Sequence, residues 1–177
     1  MKKPNKIFGW RVFLCNYGFK GFFTDSILPA IISIILCVII YLNNLNVFIQ
    51  IKHLVEVGLD VVPAIVTLIL AAYAILLTFI ISDSFKKVKN TEGGNKLIKK
   101  LNSSFAACLS ISSITLIVMI VTSCIANMNI EIANSDYINY SVFAIVSYLL
   151  VYSVYILIGI VIDIFNCGQT TLLDSEL

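Results

Sequence analysis

"VVPAIVTLILAAYAILLTFIIS", Val61 to Ser82, runs without a single charged residue. A helix rises about 1.5 Å per residue and the hydrocarbon core of a bilayer is about 30 Å thick, so about 20 apolar residues cross it. Three other stretches have the same character, giving expected spans at 26–46, 61–82, 103–126 and 140–165. The first is the shortest: "SILPAIISIILCVIIYL" reaches spanning length if it tilts little or uses Asn43 and Asn44 near the headgroups. The pattern predicts an all-α fold, an integral membrane four-helix bundle.

Composition agrees. Hydrophobic residues make up 59% of the chain and charged ones 12%, with a mean hydropathy of +0.98. A soluble domain of this length has no interior large enough for so much apolar surface. The net charge of +2 is too small for direct nucleic-acid binding. Cys15, Cys37, Cys108, Cys124 and Cys167 are scattered without a C-x-x-C pair, and His53 is the only histidine. That pattern offers no zinc framework and no disulfide-stapled ectodomain.

The basic residues set the expected sidedness. Lys2, Lys3, Lys6, Arg11 and Lys20 precede the first span, and Lys86, Lys87, Lys89, Lys96, Lys99 and Lys100 lie between the second and third. Of the loops on the other side, the first holds Lys52 and the second no lysine or arginine. Positive charge near span ends stays in the cytoplasm, so both termini and the middle loop are expected inside. Membrane lipid is then the solvent.

This divides the chain into a basic aromatic cytoplasmic or interfacial tail (1–25), a transmembrane domain (26–166) and a short acidic tail (167–177) with Asp174 and Glu176. The first tail interleaves Phe8, Trp10, Phe13 and Tyr17 with Arg11 and Lys20, as an interfacial anchor does. The Lys-rich hairpin, 83–102, reads as two short helical extensions about a Gly93-Gly94 turn. Arg11 in the amino tail and Lys86, Lys87, Lys89, Lys96, Lys99 and Lys100 in the hairpin are the candidate contacts to lipid headgroups or a cytoplasmic partner. Asp60 is read as a helix cap, with Pro63 in the first turn of span two.

Inside the spans, polarity follows helical spacing. On span four Tyr148, Tyr152, Tyr155, Gly159 and Asp163 share a face, while Val146, Leu150, Leu157, Ile160 and Ile164 lie opposite. Hydroxyls and a carboxylate avoid lipid tails, so this stripe should face protein or a wet cavity. Asp163 falls near the inner headgroups if the span begins at Tyr140. Span three carries Ser104, Cys108, Ser112, Thr115 and Thr122, and span two Ala64, Thr67, Ala71, Ala74 and Thr78. Such small residues let helix backbones approach closely, so these are expected packing stripes.

Catalysis has little to work with. No G-x-S-x-G, P-loop or dinucleotide fingerprint occurs, and His53 has no second ligand at metal spacing. The expectation is a non-enzymatic chain with no catalytic residue, cofactor or metal. Small multidrug exporters carry an acid within their first helix, and tetraspanins and claudins carry outer-loop cysteines. Neither feature is present.

The basic aromatic tail, the four spans and the lysine-rich loop from Lys86 to Lys100 together resemble the small four-span membrane subunits of bacterial anti-phage systems. The membrane subunit of Kiwa, which works with a separate cytoplasmic subunit, has this layout. The resemblance implies homo-oligomerisation, a cytoplasmic effector held at the inner membrane, and a response to phage disturbance of the envelope. The expected function is an oligomeric membrane anchor or sensor with a cytoplasmic protein partner; the alternative is an oligomeric pore-forming or channel-like membrane effector.

Overall fold

A computed structural model describes residues 19–81, 92–128 and 135–173. They form four helices: α1 (Phe19–Leu42), α2 (Val47–Ile81), α3 (Glu92–Asn127) and α4 (Ser135–Leu173). All four contain segments long and apolar enough to cross a membrane: Phe23–Leu42, Val47–Thr78, Ile98–Asn127 and Asp136–Asn166. The architecture is all-helical and of multi-pass membrane type.

Helix α4 is the hub. It packs along α1, α2 and α3, and α2 also packs along α3, whereas α1 rests chiefly on α4. Sequence neighbours α1 and α2 are therefore not the main packing partners. Two apolar clusters stack along the bundle. One joins Ile65, Ile69, Phe105, Cys108, Tyr152 and Ile156; the other joins Ile40, Val55, Val62, Met119, Phe143 and Val146. We call the end holding Lys100 the lysine end, and the end holding Asn43–Asn46 the turn end.

The turn between α1 and α2 is built by asparagines. Asn44 has φ 49°, a left-handed conformation that asparagine tolerates better than most residues. The Leu45 N–H donates to the Ile40 carbonyl at 3.1 Å and the Asn44 N–H to the Tyr41 carbonyl at 3.2 Å, the two bonds of a Schellman ending. Asn46 then caps α2, its Oδ1 accepting from the Ile49 N–H at 3.2 Å.

This turn corrects three expectations. The first span ends at Leu42 rather than Asn46, and the expected outer loop, residues 47–60, is the first stretch of α2, about four turns long. Asp60 and Pro63 consequently lie inside α2, as neither a cap nor a first-turn residue. The reason is visible in the pattern: Val47, Ile51, Val55 and Val62 recur at helical spacing and are buried, while His53, Glu56 and Asp60 are exposed. An amphipathic helix with a charged face fails a hydropathy test but satisfies a periodicity test.

The lysine-rich hairpin differs as well. Helix α3 begins at Glu92, so Gly93 and Gly94 lie within its first turn instead of forming a turn of their own, and Lys96, Lys99 and Lys100 are helical. Lys86, Lys87 and Lys89 lie outside the described residues, as do Arg11 with the amino tail to residue 18, and the acidic residues Asp174 and Glu176.

Candidate functional site

At the lysine end an ion pair joins two helices. Lys100 Nζ on α3 lies 3.7 Å from Asp163 Oδ1 on α4, and the Ser104 hydroxyl donates to Asp163 Oδ2 at 3.3 Å. The Asp163 side chain is 20% exposed and that of Lys100 65% exposed. The carboxylate is thus held from one helical neighbour while the ammonium still reaches solvent. A pair so exposed on one side contributes about 1 kcal/mol or less. Its effect is to fasten α3 to α4 where Lys99 and Lys100 emerge.

Hydroxyl pairs continue along α4. Thr115 Oγ1 and Ser153 Oγ are 2.8 Å apart between α3 and α4, and both sit near the Leu149 carbonyl. Ser33 Oγ and Ser147 Oγ are 2.7 Å apart between α1 and α4. Both also approach the Ala144 carbonyl, at 2.8 and 3.1 Å. A hydroxyl has one proton, so one serine donates to the carbonyl and the other donates to its partner serine. In lipid, which offers no hydrogen-bond partner, such pairs fix which helix faces meet.

The expected span-four stripe is divided by the structure. Tyr152 is 1% exposed within the core, its ring stacked on that of Tyr148 with centroids 5.6 Å apart. Tyr148 and Tyr155 are half-buried. Gly159 is exposed, with open space where a Cβ would point. Val146, Leu150 and Ile160 on the opposite face are buried too, because a hub helix must bury more than one side. On α3, Ser104, Cys108, Ser112 and Thr115 are buried and Thr122 is half-buried. The Ser112 hydroxyl has only the Cys108 thiol beside it, a weak partner.

The α2 stripe is different in kind. Ala64, Thr67, Ala71, Ala74 and Thr78 are all exposed in the single chain. Above them on α2 stand His53 and Glu56, 3.6 Å apart and mostly exposed, then Asp60, also exposed. Lys52 Nζ sits 4.9 Å from the centre of the Phe48 ring. Low hydropathy suggests a loop for these charges, whereas the four-residue recurrence of Val47, Ile51 and Val55 signals a helix.

At the turn end an open cleft of about 770 Å³ lies between α1, the turn and the start of α4, with Tyr41, Tyr137, Tyr140, Asn46 and Asp136 among its walls. Tyr41 and Tyr140 meet edge to face, centroids 6.4 Å apart. Tyrosines at this position suit the headgroup region. Among the described residues no group of three potential metal ligands occurs. No protein-family model matches the chain, and no curated protein or solved structure matches it.

Proposed function

We propose that this chain is a self-associating membrane anchor or sensor subunit that holds, or signals to, a cytoplasmic protein partner. The observation that carries the reading is the contrast between the two ends of the bundle. At the turn end α1 and α2 are joined by a short turn. At the lysine end α3 presents Lys99 and Lys100, with Lys100 fastened to the hub helix through Asp163. By the positive-inside rule the lysine end, with both termini, faces the cytoplasm. The layout supports the inner membrane of a bacterium as the location and anti-phage defence as the setting, with no catalytic chemistry in this chain.

The mechanism follows from the hub. Bilayer stress that changes how α1 or α3 sits on α4 is transmitted along α3 to the lysine end, shifting a population between two packings. The test is an affinity pull-down of the gently solubilised protein from its host, with identification of the partner and a native mass. A stoichiometric cytoplasmic partner supports the reading. Its loss on neutralising Lys96, Lys99 and Lys100 places the contact at the lysine end.

A second reading, a pore between copies, draws on the charges exposed on α2. The described interior of one copy is filled by Ile69, Phe105, Tyr152 and Ile160, so any conducting path must run between copies. Ion flux from liposomes holding the purified protein tests it.

A further inference from the structure

The helices' mutual contacts fix the depth of the α2 charges. Ser33 on α1 is bonded to Ser147 on α4, and Thr115 on α3 is bonded to Ser153 on α4. Because α3 and α4 run antiparallel, Ser147 is level with about Val121. Met119 on α3 lies against Gly58 on α2, and these two helices are also antiparallel, so Val121 is level with about Glu56. Glu56 and Ser33 therefore share a depth. Ser33 is midway along the Phe23–Leu42 segment of α1, and on the longer apolar segments of α2, α3 and α4 the same level lies about 9 to 17 Å from the turn-end terminus at the helical rise.

The exposed residues of α1 near Ser33 are Ile31, Ile34 and Ile35. At the same level α3 exposes Ile120 and Val121 and α4 exposes Ile145. The charges of α2 thus interrupt, toward its turn end, a belt that is otherwise apolar. An acidic side chain costs about 2.5 to 3.5 kcal/mol against lipid at a helix centre and less toward the rim, but the apolar surface on the other three helices at this level makes lipid a poor neighbour for this face.

The same face, followed toward the lysine end, becomes Ala64, Thr67, Ala71, Ala74 and Thr78, all exposed. The Thr67 and Thr78 hydroxyls donate to the Pro63 and Ile75 carbonyls of their own helix, so neither needs an outside acceptor. Small side chains with satisfied hydroxyls admit a second backbone at close range. Lys52 and Glu56 add self-complementarity, since they stand one turn apart with opposite charge. Around a two-fold axis along the membrane normal, Lys52 of one copy meets Glu56 of the partner subunit, and the reverse.

We infer that a second copy of this chain packs on this face of α2, shielding Glu56 and Asp60 from lipid and seating helix on helix along Ala64–Thr78. The inference deepens the proposed self-association, on which it rests, by naming the interface. Neighbouring charges across a dry seam set register and orientation as well as affinity.

Two measurements on the full-length protein in bilayers test it. A photoreactive amino acid replacing Ala71 or Ala74 should yield a crosslinked species of twice the chain mass, identified as two copies, whereas one replacing Ile31 or Ile145 should not. Lys52→Glu and Glu56→Lys should each weaken self-association measured by energy transfer about tenfold, the scale of one desolvated charge pair. Mixing the two variants should restore it, because each then supplies the charge the other lacks; a purely intrachain effect is not rescued by mixing. Crosslinking through α1 or α4 alone, or failure of the mixture, overturns this interface and leaves self-association standing. A monomer throughout overturns both.

Discussion

The Met119 side chain lies so close to Gly58 that a Cβ there would meet its terminal methyl at 2.7 Å and its sulfur at 2.8 Å. This contact is where α2 and α3 approach each other, and it sets the depth of every charge on α2. Gly58→Ala should be nearly neutral, since the flexible methionine end can move and alanine gains about 1 kcal/mol of helix propensity. Gly58→Leu should cost about 1–3 kcal/mol through overpacking. Met119→Ala should recover part of that cost. Unfolding in mixed micelles measures all three, and equal stability for Gly58→Leu would refute the contact.

Ser33 and Ser147 should be energetically coupled. Polar pairs between membrane helices average about 0.6 kcal/mol and reach about 1.7. A double-mutant cycle of Ser33→Ala and Ser147→Ala is expected within that range. Because α1 rests chiefly on α4, protease or exchange protection should fall first in α1. Uniform loss across all helices would argue against α4 as the seat of α1.

Asn44 holds a left-handed backbone, so a β-branched residue there is strained. Asn44→Val should destabilise by about 1–2 kcal/mol, while Asn44→Gly should be neutral or slightly stabilising. Thermal unfolding of the two variants side by side decides it; the same loss in both would mean that the asparagine side chain, not the backbone, matters.

Lys100→Met should change stability by less than about 1 kcal/mol, because the ammonium is largely in solvent. Asp163→Lys should cost more, since it sets like charges beside each other and removes the acceptor of Ser104. Combining Asp163→Lys with Lys100→Asp should recover most of the loss. Raising the salt concentration should reduce the difference between the single and double variants.

Sidedness can be read by labelling. With the native cysteines replaced, Asn44→Cys should react with an impermeant maleimide on intact cells, and Lys99→Cys only after permeabilisation. The reverse pattern would place the lysine end outside and remove the proposed cytoplasmic contact surface.

Some of this was legible in the residues alone. Span number depends on a local sum of transfer free energies, which the runs from Val61 and Tyr140 make plain. The boundary near Asp60 was not legible by that sum. His53, Glu56 and Asp60 lower the hydropathy of a segment whose other face, Val47, Ile51 and Val55, is buried. Helical spacing puts the polar stripe of span four on one surface, and the structure splits it between a buried Tyr152 and an exposed Gly159.

Helix count and the asymmetry of the basic residues are readable from the chain, because both follow from each segment's own chemistry. Tertiary structure alone decided that α4 is the hub, that α1 leans on α4 rather than α2, and that Glu56 shares a depth with Ser33. Those facts depend on which faces meet and at what offset. Helix offset is set by contacts between segments far apart in the chain, such as Gly58 against Met119 and Ser33 against Ser147, and no local sum of hydropathy contains them.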